Sequence, residues 1–95
     1  MFFSGGCQLT TVTIKTRTRY YGSENSWTIG SCTNEAQFEN HQTVYQTCCL
    51  ATGSYNLVCK DASGNGWHGG YLEINGQTFC EEFTSGHSKI EVVTI

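Results

Sequence analysis

The segment 61–70, which we call the glycine loop, has the residue order expected of an ion- or ligand-binding loop. Asp61, Ser63 and Asn65 stand at alternate positions, followed by a glycine and then by the carbonyl of Trp67. This order matches the first half of an EF-hand-type loop, with Ser accepted at the third position. A hard cation binds several oxygens at about 2.4 Å, and alternate residues around a tight glycine turn can converge on one point. The pattern therefore predicts a calcium site.

The second half of that loop pattern is missing. Its twelfth position, where a bidentate Glu is expected, is Leu72. Asp61 is the one certain carboxylate, so the site would be weak unless Glu73, Glu24 or another acid joins it. The alternative is structural: the polar side chains of the loop hydrogen-bond to nearby backbone N–H groups in Asx- and Ser-type turns. The residues alone leave both interpretations open.

Trp67 also has two interpretations. As an exposed ring beside glycines, it would form a platform for a sugar, with His68 and Tyr71 completing a ligand-binding site. As a buried ring, it would plug a corner of a small sandwich, and this role is the commoner one for tryptophan. The other tryptophan, Trp27, shares a strand face with Ile29, which favours a core position.

Six cysteines in 95 residues indicate three disulfides formed in an oxidising compartment. They are Cys7, Cys32, Cys48, Cys49, Cys59 and Cys80, and none shows the Cys-x-x-Cys spacing that a zinc site would favour. Adjacent Cys48 and Cys49 point to opposite faces of a strand, so they need different partners. We expect Cys59–Cys80 to staple the ends of the glycine loop. Cys32 and Cys7 would then take Cys48 and Cys49, in either order.

Composition and charge argue against several classes of function. The net charge of −3 gives no basic footprint for nucleic acid. Lys15, Arg17 and Arg19 alternate along one segment, which is typical of a solvated strand face. No segment has the apolar length to span a bilayer, and the start of the chain lacks the charged and apolar regions of a signal peptide. We expect no nucleic-acid partner and no membrane insertion.

The residues outside the loop favour strands. Alanine and leucine are scarce, while threonine, valine, isoleucine and aromatic residues are frequent. Alternation predicts strands at 11–19, 26–29, 43–50, 55–60 and 89–95. Asn75-Gly76 is a strong hairpin signal within 71–80. A two-residue turn there pairs Ile74 with Gln77 and, at the far end, Tyr71 with Cys80.

About seven short strands predict an all-β fold, a small antiparallel β-sandwich or jelly roll stapled by disulfides. Residues 34–42 are the one segment open to a helical turn. Residues 1–95 form a single domain, because no proline-rich linker, charge run or low-complexity tract divides them.

Catalysis has little support in the sequence. The histidines are scattered at His41, His68 and His87, and no Ser-His-Asp, Cys-His or paired-carboxylate spacing stands out. A thin core with oxidised cysteines also leaves little room for a deep pocket. We therefore expect no catalytic residues and no enzyme activity.

The glycine loop and its flanks resemble a secreted module found in proteins of marine invertebrates, algae, protists and bacteria. That module reads Y-x-L-x-C/V-x-D, then D-x-x-G-[DN]-G-W-[NH]-G-G, then Y-L-E-I, which corresponds to residues 55–74. Its upstream element T-x-x-Y-x-x-E-x-x-W corresponds to residues 18–27. The resemblance implies an extracellular antiparallel β-sandwich, often repeated or appended to cell-surface proteins, and no particular activity. Asn65 and His68 depart from its common Asp and Asn, which weakens the case for calcium.

These features predict an extracellular structural or adhesive module that works as a subunit of a cell-surface fibre or matrix. The terminal strand is apolar on both faces, and Met1, Phe2 and Phe3 are apolar at the other end, so self-association would bury both. The alternative is a lectin-like, carbohydrate-binding module with a weak calcium site in the glycine loop. No other cofactor is expected.

Overall fold

The computed structural model describes residues 7–95, and these form two antiparallel four-stranded sheets packed together. The elements are β1 (Thr10–Arg17), the 3-10 helix η1 (Gly22–Glu24), β2 (Asn25–Ile29), β3 (Cys32–Thr33), β4 (Thr43–Leu50), β5 (Ser54–Asp61), β6 (Tyr71–Ile74), β7 (Gln77–Phe79) and β8 (Ser88–Thr94). One sheet has the order β4-β1-β6-β7, and the other has the order β3-β2-β5-β8. The predicted disulfide-stapled all-β fold is confirmed. The apolar residues Met1, Phe2 and Phe3 lie outside the described part of the chain.

The core lies between the inner faces of the sheets, as strand alternation predicts. Val12 and Ile14 point inward from β1, and Trp27 and Ile29 point inward from β2. All four side chains are buried, so the predicted core position of Trp27 is confirmed. The outer face of β1 instead carries threonines and the partly exposed Lys15.

All six cysteines are paired. The disulfides are Cys7–Cys49, Cys32–Cys48 and Cys59–Cys80. The expected staple Cys59–Cys80 is confirmed, and so is the use of different partners by Cys48 and Cys49. Cys32–Cys48 joins β3 to β4, and Cys59 on β5 meets Cys80 just after β7, so two of the bridges tie one sheet to the other.

The hairpin of β6 and β7 has the predicted register from Ile74–Gln77 to Leu72–Phe79. The expected pair of Tyr71 with Cys80 is absent from the ladder. Cys80 adopts a φ of 63°, which turns the chain away from β6.

Two local features differ from the sequence predictions. The prediction of a helical turn at 34–42 is wrong, because this segment contains no helix. Side-chain hydrogen bonds fix its conformation instead. Asn34 accepts a hydrogen bond from Trp27 N at 3.0 Å, and Gln42 accepts one from Glu39 N at 2.8 Å. The short strand β3 was not predicted, although Gly30, with φ of 57°, opens a two-residue turn that pairs it with β2.

Candidate functional site

The glycine loop is a closed corner at one end of the sandwich. Three backbone hydrogen bonds join it to the segment 80–87: Asp61 N to His87 O at 2.8 Å, Trp67 N to Phe83 O at 2.8 Å, and Gly86 N to Gly64 O at 2.9 Å. The Cys59–Cys80 disulfide lies beside these bonds and joins β5, two residues before the loop, to the start of the segment 80–87. Because several bonds hold these two neighbouring loops, we expect them to resist local opening as a unit.

The predicted calcium residues are only partly brought together. Asp61 is buried, whereas Ser63 and Asn65 are exposed. One oxygen of Asp61, Oδ2, accepts a 2.7 Å hydrogen bond from Asn65 N, and the Trp67 carbonyl accepts one from Gly70 N at 2.8 Å. The loop thus contains the turn that the structural interpretation requires of Asp61. Among residues 7–95, no group of three or more His, Cys, Asp or Glu side chains is arranged to hold a metal ion.

Trp67 is fully buried, which confirms the corner-plug interpretation. Its indole N–H donates to the carbonyl of Lys60 at 2.8 Å, and its ring packs at 6.3 Å from the ring of Phe83. Because stacking on a sugar needs an exposed ring face, the assignment of Trp67 as a ligand-binding platform is wrong.

The other two predicted ligand residues face different surroundings. His68 is partly buried and lies against Tyr21, with ring centroids 5.2 Å apart. Tyr71 lies on the outer face of β6, beneath the ammonium group of Lys15 at 5.9 Å. Lys15 also lies 4.0 Å from the carboxylate of Glu73. Trp67, His68 and Tyr71 therefore do not form one binding site.

An aromatic surface lies at the glycine loop, and we define it as the exposed Tyr20, Tyr21 and His41 together with the partly buried His68 of the loop. Tyr20 and Tyr21 are 58% and 56% exposed, and the rings of Tyr20 and His41 stack edge to face at 4.9 Å. Tyr21, His41 and His68 all have φ between 52° and 57°. Non-glycine residues held in this region are uncommon and concentrate at ligand-binding sites. The sequence signal for this surface was the adjacent pair Tyr20-Tyr21, which lies between β1 and η1.

The free edge of β8 is the second notable surface. β8 ends its sheet, and no strand among residues 7–95 pairs with its outer side. Ile90 and Val92, on its outward face, are 59% and 65% exposed. Ile90 stands opposite Val58 of β5, so the apolar surface continues onto the neighbouring strand.

A shallow acidic cavity of about 270 Å³ lies between the end of β7 and β8. Glu81, Glu82, Glu91 and Lys89 contribute to its lining. Glu91 is not free to bind a ligand with both oxygens, because its Oε2 accepts a hydrogen bond from Cys80 N.

No helix among residues 7–95 has the length and apolar character needed to cross a bilayer. Comparison with known proteins finds no matching family model, no matching curated protein and no matching solved structure. The function proposed below therefore rests on the fold and on the geometry of its surfaces.

Proposed function

We propose that this protein is an extracellular structural module that pairs with a second copy of itself through β8. The observation that carries the proposal is the unpaired edge of this seven-residue strand, with Ile90 and Val92 mostly exposed on its outward face. Unpaired strand edges are templates for pairing with another chain, and natural proteins usually block them. The chain contains no proline that could block this one.

The sequence of β8 favours an antiparallel pair centred on Ile90. In that register Ile90 faces Ile90 of the second copy, and Lys89 faces Glu91 in both directions. On the outward face, the existing Val58–Ile90 pair would extend into a row of four apolar side chains across the two copies. A register centred on Glu91 would instead place two carboxylates opposite each other, which is unfavourable. Charge complementarity thus selects both the partner and the register.

The disulfides support the extracellular location in this proposal, because they form in an oxidising compartment. Three disulfides hold a domain of 95 residues, and disulfides of this density are typical of small secreted domains. A two-fold contact closes on itself as a dimer, so a fibre would need a second contact elsewhere on the surface. The dimer is the unit from which we expect such a fibre or matrix to be built.

Sedimentation velocity over a range of concentrations tests this function. We expect a monomer–dimer equilibrium for the wild type and a monomer for Ile90→Lys, which places two lysines opposite each other across the pair. Tyr45→Lys is the matched control, since Tyr45 is 67% exposed on β4, the edge of the other sheet. It should dimerise like the wild type. A wild type that stays monomeric at its highest soluble concentration would contradict the proposal.

The aromatic surface favours a second candidate function, carbohydrate binding. Exposed tyrosine rings provide stacking faces for sugars, and the exposed His41 adds polar ring nitrogens beside them. His68 packs against Tyr21 with its Nε2 buried. The restricted backbone at Tyr21, His41 and His68 would hold these groups in place before a ligand arrives.

A glycan array tests the second candidate. Wild-type protein should bind at least one glycan, and Tyr20→Ala and Tyr21→Ala should each lose that signal. Tyr45→Ala removes an even more exposed tyrosine from another surface and should keep the signal. A signal that survives both substitutions on the aromatic surface would place binding elsewhere, and no signal at all would remove this candidate.

A further inference from the structure

Three polar residues, Glu24, Asn25 and Asp61, lie at the base of the glycine loop, where β2 and β5 first pair. Asn25 stands directly opposite Asp61 in the ladder, and their side chains are 3% and 2% exposed. Side chains opposite each other on one face have Cβ atoms about 4.5–5.5 Å apart. Glu24 directly precedes Asn25, and its backbone carbonyl accepts a 3.0 Å hydrogen bond from Ala62 N, which holds it next to Asp61.

These side chains present buried oxygens without hydrogen-bond donors. Glu24 Oε1, Asn25 Oδ1 and Asp61 Oδ1 are removed from solvent, and no described residue donates to them. Asn25 Nδ2 is also buried and unpaired, and Glu24 as a whole is only partly buried. Neither acid has a cationic partner, because the one ion pair among residues 7–95 joins Lys15 to Glu73. A carboxylate taken out of water costs free energy unless a cation or hydrogen-bond donors compensate it. Asp61 has one such donor, Asn65 N at its Oδ2, whereas Asp61 Oδ1, Glu24 Oε1 and Asn25 Oδ1 have none within the described chain.

We propose that Glu24, Asn25 and Asp61 bind a hard divalent cation, with calcium as the ion of choice. Calcium takes oxygen ligands from carboxylates, amide carbonyls and water, which is the donor set offered here. Zinc and copper prefer nitrogen or sulfur ligands. A bound water would satisfy hydrogen bonds but would leave the charge of the two acids uncompensated.

This site differs from the loop pattern read in the sequence. It uses Asp61 from the glycine loop, but its other ligands come from the end of η1 and the start of β2, and not from Ser63, Asn65 or the Trp67 carbonyl. A cation there would join η1, β2 and the loop at one point. It would therefore stabilise the corner against local opening, because it binds the folded state alone.

Thermal unfolding of the disulfide-intact protein, with EDTA or with calcium, tests the site. At about 10 mM calcium, a site with the affinity typical of extracellular modules should raise Tm by roughly 5–10 °C over EDTA. Sodium chloride at equal ionic strength should leave Tm unchanged. Terbium provides a direct binding readout, since Trp67 lies close enough to sensitise its luminescence. Its indole N–H binds the carbonyl of Lys60, the neighbour of Asp61.

Three substitutions assign the ligands. Glu24→Gln and Asp61→Asn remove a buried charge while keeping the shape, so in EDTA they should melt at or above the wild-type Tm. Both should lose the calcium shift and the terbium signal. Ser63→Ala, in the loop pattern, should keep both. No calcium shift in the wild type would overturn the proposal, as would a shift abolished by Ser63→Ala but retained by Glu24→Gln.

Discussion

The indole N–H of Trp27 donates a 3.0 Å hydrogen bond to the hydroxyl of Thr16. Trp27 lies on β2 and Thr16 on β1, so this bond passes from one sheet to the other through the core. Both side chains are buried. Together with the disulfides Cys32–Cys48 and Cys59–Cys80, it fixes how the two sheets stack.

Replacing Thr16 with Val should destabilise the domain by about 1–3 kcal/mol, because the buried indole N–H loses its acceptor while the core keeps its volume. Urea unfolding monitored by tryptophan fluorescence measures this. Thr13→Val is the matched control, since Thr13 points outward from the same strand. It should change the free energy of unfolding by no more than about 0.5 kcal/mol. Equal effects of the two substitutions would show that the hydrogen bond contributes nothing.

Alanine substitutions at Gly66 and Gly86 distinguish the cost of backbone strain from the cost of steric overlap. Both glycines have positive φ, 78° and 92°, so alanine is strained at either position. A Cβ on Gly66 would also overlap the carbonyl oxygen of Phe83, whereas nothing lies within 4 Å of one on Gly86. We expect Gly86→Ala to cost about 1–2 kcal/mol and Gly66→Ala at least about 3 kcal/mol in chemical denaturation. Similar costs would mean that the loop yields at Gly66 and is not a rigid corner.

The sequence predicted those parts of the fold that depend on local signals. Alternation located the long strands, and Asn75-Gly76 set the register of the β6–β7 hairpin. Because adjacent residues of a strand face opposite sides, Cys48 and Cys49 were predicted to bond different partners, as they do. Each of these inferences needs only neighbouring residues or strand geometry.

The candidate site could not be predicted from the sequence, because its residues are brought together by contacts between distant parts of the chain. Trp67 lies in a loop without periodicity, so its burial could be weighed but not decided from sequence. Asn25 becomes notable only because β2 places it opposite Asp61, thirty-six positions later in the chain. The aromatic surface likewise forms because His41 and His68 fold against Tyr20 and Tyr21.

The disulfide Cys59–Cys80 should stabilise the glycine loop more than Cys7–Cys49 does. Cys59 and Cys80 are both buried and bracket the loop, whereas Cys49 is exposed. The double substitution of Cys59 and Cys80 with alanine should cost about 2–4 kcal/mol and accelerate amide exchange in residues 61–70. The same replacement of Cys7 and Cys49 should leave exchange in that loop unchanged. Equal acceleration in both variants would argue against a local staple.

Amide hydrogen exchange at several protein concentrations measures self-association through β8 at the strand itself. Pairing of two β8 strands protects backbone N–H groups that face solvent in the monomer. Exchange in residues 88–94 should slow as protein concentration rises, while exchange in residues 43–50 of β4 stays constant. This change should disappear in Ile90→Lys. Exchange in residues 88–94 that is independent of concentration, or a slowing confined to β4, would contradict the account.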